Sequence, residues 1–555
     1  MRPTTIASLV ASSLFGLLVG MATPCTAHAA DPSSRYYAQD TEGIFWFLHI
    51  SDLHIDPLNN SARKHLTFAL GEAVDVIQPI AVFASGDLVD GSVFLPTSGQ
   101  DKAEWDLYAT LLSDANVTPE FFFDMPGNHD TYGDQGLKHY LERSLQGSTT
   151  GSLFSDTVHT TSLGDYYFVA LNSSGTYGTP FTFGNPQFTN VPELEAGLET
   201  HASAQLVFAF AHHHLVPHGA TDAQTALGIG GKDDPPGNVS EVMALLEDAG
   251  AFYLHGHVHQ YKESLQGKLV TVQLANLAGS PNVDRSSLDA WDKTKFESNI
   301  GVGIIDHNAF IYRVTDTTHP WPFVAITAPV DINLQGGGIP AGSTAGVSYE
   351  GDFVPYGEQA NPYAYDVCLA RKDNPVRAVV LSKDPVSSVR LMLDTTEVGP
   401  MTAVTSQPGL YAAQMDTTGL EPGVHSLTVL ATTASETRGD SIQVNFVKGP
   451  CDDLPDAGVD APDSEPDASD SDSDITSDAQ PDAGSTSDAT QDSVADADTT
   501  DAADTTPPPG DTDDDGGCSC RVGANTSNPW TALALSLIAL AFRRRRTTRS
   551  PLSSR

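Results

Sequence analysis

The sequence predicts a layered α/β fold, followed by a small β-sandwich and a long disordered acidic tail. Three observations predict it. Five short apolar runs in the first 260 residues each end in side chains with oxygen or nitrogen donors. From about residue 326 the pattern changes to short alternating segments separated by turn residues. Residues 452–517 then hold 22 Asp plus Glu and no Lys or Arg, in a low-complexity background of Ala, Ser, Thr and Pro.

Each element has its own warrant. Residues 1–30 combine Arg2, an apolar stretch from Ile6 to Met21 and Ala27-His28-Ala29, the pattern of a secretory signal peptide cut near Ala29 or Ala30. Cys25 falls inside it and takes no role. The first apolar run is Ile44 to Ile50, followed by Ser51-Asp52-Leu53-His54. The second, Pro79 to Ser85, runs into Gly86-Asp87, and the third, Phe121-Phe122-Phe123, leads to Gly127-Asn128-His129-Asp130. The fourth, Leu206 to Ala211, meets His212-His213-His214, and the fifth, Ala251 to Leu254, meets His255-Gly256-His257-Val258-His259. Continuous apolar runs of this length read as strands buried on both faces. In layered α/β folds ligands bind outside the carboxyl ends of such strands. Asp101 to Ser113 and Ser240 to Ala249 are helical by pattern and flank the sheet.

Residues 326–449 read as an immunoglobulin-like β-sandwich. Ser388 to Leu393, Leu427 to Val429 and Ile442 to Phe446 alternate apolar and polar residues at short spacing. No catalytic constellation is visible in them. Residues 452–517 cannot bury enough apolar surface to offset chain entropy, and their like charges extend them into a linker. The segment 518–555 begins at Cys518-Ser519-Cys520, and carries the apolar residues Trp530 to Phe542 before four arginines, Arg543 to Arg546. Thirteen residues, eleven of them apolar, are few for a span, which needs about 20. The arginines would stop transfer.

The donors at the strand ends carry the chemistry. Carboxylate, amide oxygen and imidazole without a thiolate suit Mn, Fe or Zn rather than a structural Cys-based zinc site. Asp87 sits alone on its strand end and is the natural bridge between two cations. Two ions about 3.5–4 Å apart can hold a hydroxide and clamp a phosphoryl group for in-line displacement. Each motif alone has a bland reading. Gly-Asp after a strand is usually a turn, and Gly-Asn-His-Asp alone could be a helix cap. The conjunction of five motifs, each directly after a strand, is what points to a metal centre.

In that order, D-x-H, G-D, G-N-H-D, a histidine cluster and G-H-x-H resemble the calcineurin-like metallophosphoesterase superfamily over roughly residues 44–275. The resemblance implies an α-β-β-α metallophosphoesterase sandwich over residues 36–325. It implies that Asp52, His54, Asp87 and His259 hold one metal, and Asp87, Asn128, His212 and His257 the other. His129 would be the non-ligand histidine that assists the leaving group when metal-bound hydroxide attacks a small phosphoester. His213 and His214 stay open as supporting, substrate-facing or solvated residues, and His65, His201 and His218 are structural by default. Lys102-Ala103-Glu104-Trp105, Trp291-Asp292-Lys293, Asp306-His307 and Trp321-Pro322 are similar to segments of eukaryotic metallophosphoesterases of the transmembrane-protein-62 kind, which also carry an immunoglobulin-like domain. Residues 518–555 resemble the C-terminal sorting tails of myxobacterial surface proteins, which places the enzyme at the cell surface or outer envelope. A plain membrane anchor is the other reading of that tail.

The formal charge is −43, about half of the excess lies in the tail, and no basic patch in the sequence argues for nucleic acid as a partner. Cys368 and Cys451 bracket the sandwich, and either a bridge between them or two free thiols fits the spacing. The residues after Asp87 are Leu88-Val89-Asp90, so the extra tyrosine ligand of the purple acid phosphatases is absent. Monoester, diester and nucleotide substrates stay open, with discrimination expected in loops 131–160 and 173–195. The oligomeric state is open too. The competing class is a surface binding protein on an inactive phosphoesterase scaffold. Such scaffolds usually lose ligands, and here every position is filled.

Overall fold

Alternation within the apolar runs sets the layers. Along β1 (Ile44–Ile50), Ile44, Trp46, Leu48 and Ile50 enter one hydrophobic cluster while Phe45 and Phe47 enter another. A strand that is apolar on both faces must be covered twice. The computed structural model describes residues 32–91, 102–134, 136–176, 186–215, 238–257, 259, 261–278, 298–335 and 359–449. In it β1 pairs in parallel with β2 (Val82–Ser85), and β2 with β3 (Phe122–Met125). The antiparallel strands β10 (Asn299–Asp306) and β11 (Ala309–Asp316) complete that sheet on the other side of β1.

A second sheet has the order β4 (Ser155–Thr161), β5 (Gly164–Ala170), β6 (Leu206–Phe210), β7 (Phe252–His255), β9 (Leu269–Gln273), β8 (Lys262–Gln266). Its inner face meets the first sheet through an aromatic layer. Phe83 stacks on Phe210 with centroids 4.1 Å apart, and Phe47 packs edge-on against Phe168 at 5.6 Å. Each buried phenylalanine contributes on the order of 1.5–3 kcal/mol.

The outer faces are covered by helices. On the first sheet these are α1 (Asn60–Phe68), a π turn at Ala69–Ala73, α2 (Val74–Ile77) and α3 (Lys102–Asp114), which bury Leu66, Ile77, Trp105 and Tyr108. Asn59 caps α1 by accepting the Ala62 N–H at 3.1 Å. The second sheet is covered by α6 (Val191–Thr200) and α7 (Val239–Asp248), which bury Leu194, Val242 and Leu246 against Tyr167, Val169 and Val207. The expected helices at 101–113 and 240–249 are therefore α3 and α7, each shifted by one residue. The arrangement is a mixed α/β sandwich of layers α-β-β-α.

Two expectations need correction. Residues 131–160 are not one long loop: they contain α4 (Lys138–Arg143), α5 (Leu145–Thr150) and β4. For α5 the reason is Asp124, the penultimate residue of β3, which is fully buried. Its carboxylate accepts the Leu145 and Gln146 N–H groups at the start of α5, each at 2.8 Å. A carboxylate at a helix N-terminus satisfies donors that have no partner inside the helix. The loop expected at 173–195 likewise ends where α6 begins, at Val191.

The boundary expected between residues 325 and 326 falls inside a strand. β12 (Phe323–Ala328) pairs with β14 (Asn374–Leu381) in a sheet that continues through β18 (Leu410–Met415) to β17 (Thr402–Ala403). A second sheet runs β13 (Val367–Cys368), β20 (Thr437–Val447), β19 (Gly423–Thr432), β15 (Ser388–Leu393), β16 (Thr396–Pro400). Val376, Leu391, Val429 and Phe446 fill the core between them. Cys368 is disulfide-bonded, and its partner lies outside the described residues. The acidic linker, both terminal segments and His218 also lie outside them.

The β-sandwich joins the layers through buried charge. Arg377 of β14 donates to both oxygens of Asp306, at 3.1 and 2.8 Å, where β10 ends. Thr327 donates to Asp306 at 2.6 Å, and His307 Nδ1 lies 2.6 Å from it. Arg313 of β11 reaches both oxygens of Asp440 in β20 at 3.1 Å. Burial works against the Asp306 charge, but Arg377 and His307 hold the carboxyl well below its usual range. A depressed carboxyl contributes stability that is present above its unfolded pKa of about 3.9 and is lost as pH falls below it.

Arg377→Met leaves Asp306 buried without its cation, and should destabilise the full chain by about 3–5 kcal/mol at pH 7. The loss should shrink as pH falls below about 4. Urea unfolding of the variant at pH 7 and at pH 3.5 checks both, and a change under about 1 kcal/mol at pH 7 would mean that the junction is not held by this pair.

Candidate metal centre

Parallel strands point their carboxyl ends the same way, so β1, β2 and β3 of one sheet and β6 and β7 of the other deliver their following residues to one edge. The loops are tied to each other there. Asp52 N–H donates to Gly86 O at 3.0 Å, His54 N–H to Asp87 O at 2.9 Å and Gly256 N–H to His212 O at 3.1 Å. The motif glycines are where a ligand side chain passes. A Cβ on Gly256 would lie 2.3 Å from Asp52 Oδ2, one on Gly127 2.2 Å from the Asp87 backbone nitrogen, and one on Gly86 2.7 Å from the His212 ring.

Five donor residues occupy left-handed backbone: Asp52 (φ 53°), His54 (43°), Asp87 (49°), His257 (76°) and His259 (61°). Such conformations cost on the order of 1–3 kcal/mol each and persist only where the surroundings enforce them. They turn side chains that would follow the strand direction inward, over the strand ends.

All eight residues expected in the site come together. Asp52, His54 and His259 form one group of donors; Asp87, His212 and His257 form another; His54, Asp87 and His129 form a third between them. His259 Nε2 lies 3.1 Å from Asp52 Oδ1 and 3.1 Å from His54 Nε2. His212 Nε2 lies 3.2 Å from Asp87 Oδ2, 3.2 Å from His257 Nδ1 and 3.0 Å from Asn128 Oδ1. Asp87 Oδ2 is 3.9 Å from His54 Nε2 and from His129 Nε2. Asp87 therefore stands between the groups, as a bridge would.

The hydrogen bonds around these atoms show what the space between them accepts. His212 Nδ1 faces the Ser85 carbonyl at 2.8 Å, so that nitrogen carries the proton. Asn128 Nδ2 donates to Tyr132 OH at 2.7 Å, which turns its Oδ1 toward His212 Nε2. In the neutral ring Nε2 then offers a lone pair to an amide oxygen and a carboxylate oxygen, each also a lone-pair donor. Only positive charge, a proton or a metal ion, relieves that convergence. Protonation reports the same demand. Burial opposes the His212 charge, yet the Asp87 carboxylate and its hydrogen bond hold the imidazole up at about 9. Burial also opposes ionisation of Asp52, and His259 nonetheless draws it down to about 2. His54, farther from compensation, is pushed down to about 3 by burial and then by His129. A neutral imidazole is the form that binds a metal. The donor set fits metal ions, with oxygen and nitrogen ligands throughout.

Four residues outside the expected ligand set support the site. Asp90 lies 3.5 Å from His54 Nδ1, and its carbonyl accepts from His129 Nδ1. Tyr132 orients Asn128. Asp130 gathers the loops by accepting the Leu88 and Val89 N–H groups at 3.1 Å and the Gly127 N–H at 2.7 Å. Burial, then the Asp87 charge, pushes Asp130 up to about 8, against those three donors. Ser173 accepts the backbone N–H groups of His212 and His213. Their spacing from the motifs was visible, but only the folded chain aims them. His213 and His214 are buried, at 1% and 7% exposure, so neither is a solvated surface residue. His65 contacts the Leu277 carbonyl at 3.0 Å, and His201 stacks on Tyr167, as structural histidines do.

Residues 45–261 match the family model described as calcineurin-like phosphoesterase. Transmembrane protein 62 of Mus musculus is 25% identical over 340 residues, covering 58% of this chain and 48% of that protein. A metallophosphoesterase of Arabidopsis thaliana is 26% identical over 203 residues, covering 34% of this chain and 26% of that one. The chain thus spans about half or less of the length of these relatives. Among solved structures, the GAP50 anchor of the Plasmodium inner membrane complex aligns over 50% of this chain and 86% of its own, with 12% identity and a TM-score of 0.32.

Tyr132→Phe frees the Asn128 amide and should weaken metal binding about 10–100-fold, as removal of an orienting partner does. Gly256→Ala drives a methyl group against Ser51 and Asp52 and should cost more. Calorimetric metal titration of the apoprotein measures both, and unchanged isotherms would remove these residues from the site.

Proposed function

We propose that this chain, whose residues 45–261 belong to the calcineurin-like phosphoesterase superfamily, hydrolyses a phosphate ester with two metal ions. Asp52, His54, Asp87 and His259 hold one ion; Asp87, Asn128, His212 and His257 hold the other. The observation that carries the reading is the convergence of lone pairs on Asp87 and His212 Nε2, flanked on the other side by Asp52, His54 and His259. When bound, the ions supply Lewis acidity toward phosphoryl oxygens and activate water.

The chain's own residues do the rest. Asp90 O accepts from His129 Nδ1, so that ring is held with Nε2 toward the centre. The His129 side chain keeps 22% of its surface exposed, more than the 2% of Asp87 or the 0% of His212. It therefore stands at the open rim, where a leaving oxygen departs, and in its imidazolium form can hand that oxygen the Nε2 proton. Its backbone N–H donates to Asp87 Oδ1 at 2.8 Å, which ties the acid to the bridge. Mn, Fe and Zn all suit the donor set.

The same proposal places the enzyme outside the cell. Residues 1–30 supply export, 452–517 a linker, and 518–555 retention at the surface, with the immunoglobulin-like sandwich standing the site off the envelope. The bonded state of Cys368 supports an oxidising compartment. Among the described residues no helix is long and apolar enough to cross a membrane.

A panel of phosphomonoesters and diesters, assayed with Mn, Zn and Fe restored separately, tests the activity. Asp87→Ala should lose bound metal and orders of magnitude in rate; near wild-type turnover would sink the two-metal reading. His129→Ala should keep its metal and lose about 10²–10⁴-fold, most for poor leaving groups. Intact cells should hydrolyse an impermeant phosphoester, and deletion of residues 518–555 should move activity to the medium. Activity seen only after lysis would end the surface assignment.

A further inference from the structure

His213 is buried beside the centre but belongs to none of the three donor groups found among the described residues. Its protonation is settled by its neighbour. Ser173 Oγ accepts the backbone N–H of His212 at 3.2 Å and of His213 at 3.0 Å. A hydroxyl oxygen has two lone pairs, and these bonds use both. Its proton then has His213 Nδ1, at 2.9 Å, as its acceptor. Because Nδ1 accepts, the neutral ring carries its proton on Nε2.

That Nε2–H is buried and has no hydrogen-bond partner among the described residues. Buried donors without acceptors are rare and costly, and a specific one calls for an explanation. Packing does not explain it, because the ring is placed with care. Tyr253 OH donates to the His213 carbonyl at 2.5 Å, and Ser173 grips the residue at both its backbone nitrogen and its ring. The ring lies against the second donor set, 4.6 Å from the His257 centroid and 5.0 Å from that of His212. A ligand role is closed to it: one nitrogen is committed to Ser173 and the other bears a proton. What the position lacks is an acceptor, and a phosphoryl oxygen brings one.

We infer that His213 Nε2–H donates a hydrogen bond to a non-bridging phosphoryl oxygen of substrate seated over Asp87, His212 and His257, with Ser173 holding the tautomer. This rests on the phosphoesterase reading above. It makes His213 a recognition residue for the tetrahedral oxyanion, and Ser173 a positioning residue.

The test uses the full-length chain and inorganic phosphate as the probe. In the apoprotein labelled with ¹⁵N-histidine, the resonances that vanish in His213→Gln should be those of a neutral, Nε2-protonated ring; an Nδ1-protonated ring would overturn the inference. His213→Phe should keep the wild-type metal content by elemental analysis, while phosphate binding measured by calorimetry weakens about tenfold or more. His213→Gln, which can return an N–H near the same place, should recover most of that affinity. Ser173→Ala, loaded with metal, should weaken phosphate binding, which guards against misfolding of the Phe variant. If wild type turns over 4-nitrophenyl phosphate but His213→Phe binds phosphate as tightly, the inference falls and the phosphoesterase reading stands. If His213→Phe and His213→Gln both lose metal, His213 is structural and the inference falls. A metal-loaded wild type that neither turns over the ester nor binds phosphate would remove both.

Discussion

One carboxylate organises the molecule. Asp87 is 1% exposed, stands just past the end of β2, and is reached by side chains that follow β1, β3 and β6. Burial alone would neutralise it, yet the histidines around it, His212 first, hold its carboxyl well below the usual range. A buried anion needs cations or donors on every side. The surrounding loops meet that requirement with imidazoles, the His129 N–H and, when loaded, metal ions. Glycines at 86, 127 and 256 let them approach, and five donor residues take left-handed backbone to face inward. The aromatic layer between the sheets and the helices outside them make such strain affordable, because they lock the strand ends in place.

The supporting residues follow the same rule. Asp130 draws three backbone donors from two loops into one point, Tyr132 decides which atom of Asn128 faces the centre, and Asp90 addresses both His54 and His129. Ser173 extends the pattern to His213. Each fixes a rotamer or tautomer, so the centre is preorganised before a substrate arrives.

A second buried charge shapes the chain at larger scale. Asp306 ends β10 of the α-β-β-α layers and meets Arg377 of the β-sandwich, and Arg313 meets Asp440 in the reverse sense. The sandwich and the layers accordingly fall in one compact unit. Two modules joined by desolvated ion pairs are held in a defined pose, since such pairs tolerate little change in geometry.

Much of this was legible in the chain. Both-face burial of the five apolar runs, the positions of α3 and α7, and the order of the metal-type motifs depend on neighbours a few residues apart, and periodicity records such neighbours. Of the helices within 131–160, α5 is hidden from the sequence pattern because its cap, the buried carboxylate of Asp124, comes from β3. The boundary at 325/326 was misplaced because β12 looks the same whichever sheet it joins. Sequence alone determined which residues could donate to a metal and that they end strands. Only tertiary structure decided that His54 meets His259 across 205 positions, that His213 Nε2 is buried without a partner among the described residues, and which atom of each ligand faces the centre. The reason is physical: donor chemistry belongs to a side chain, but its direction is set by backbone torsions and by partners brought near only when two sheets pack.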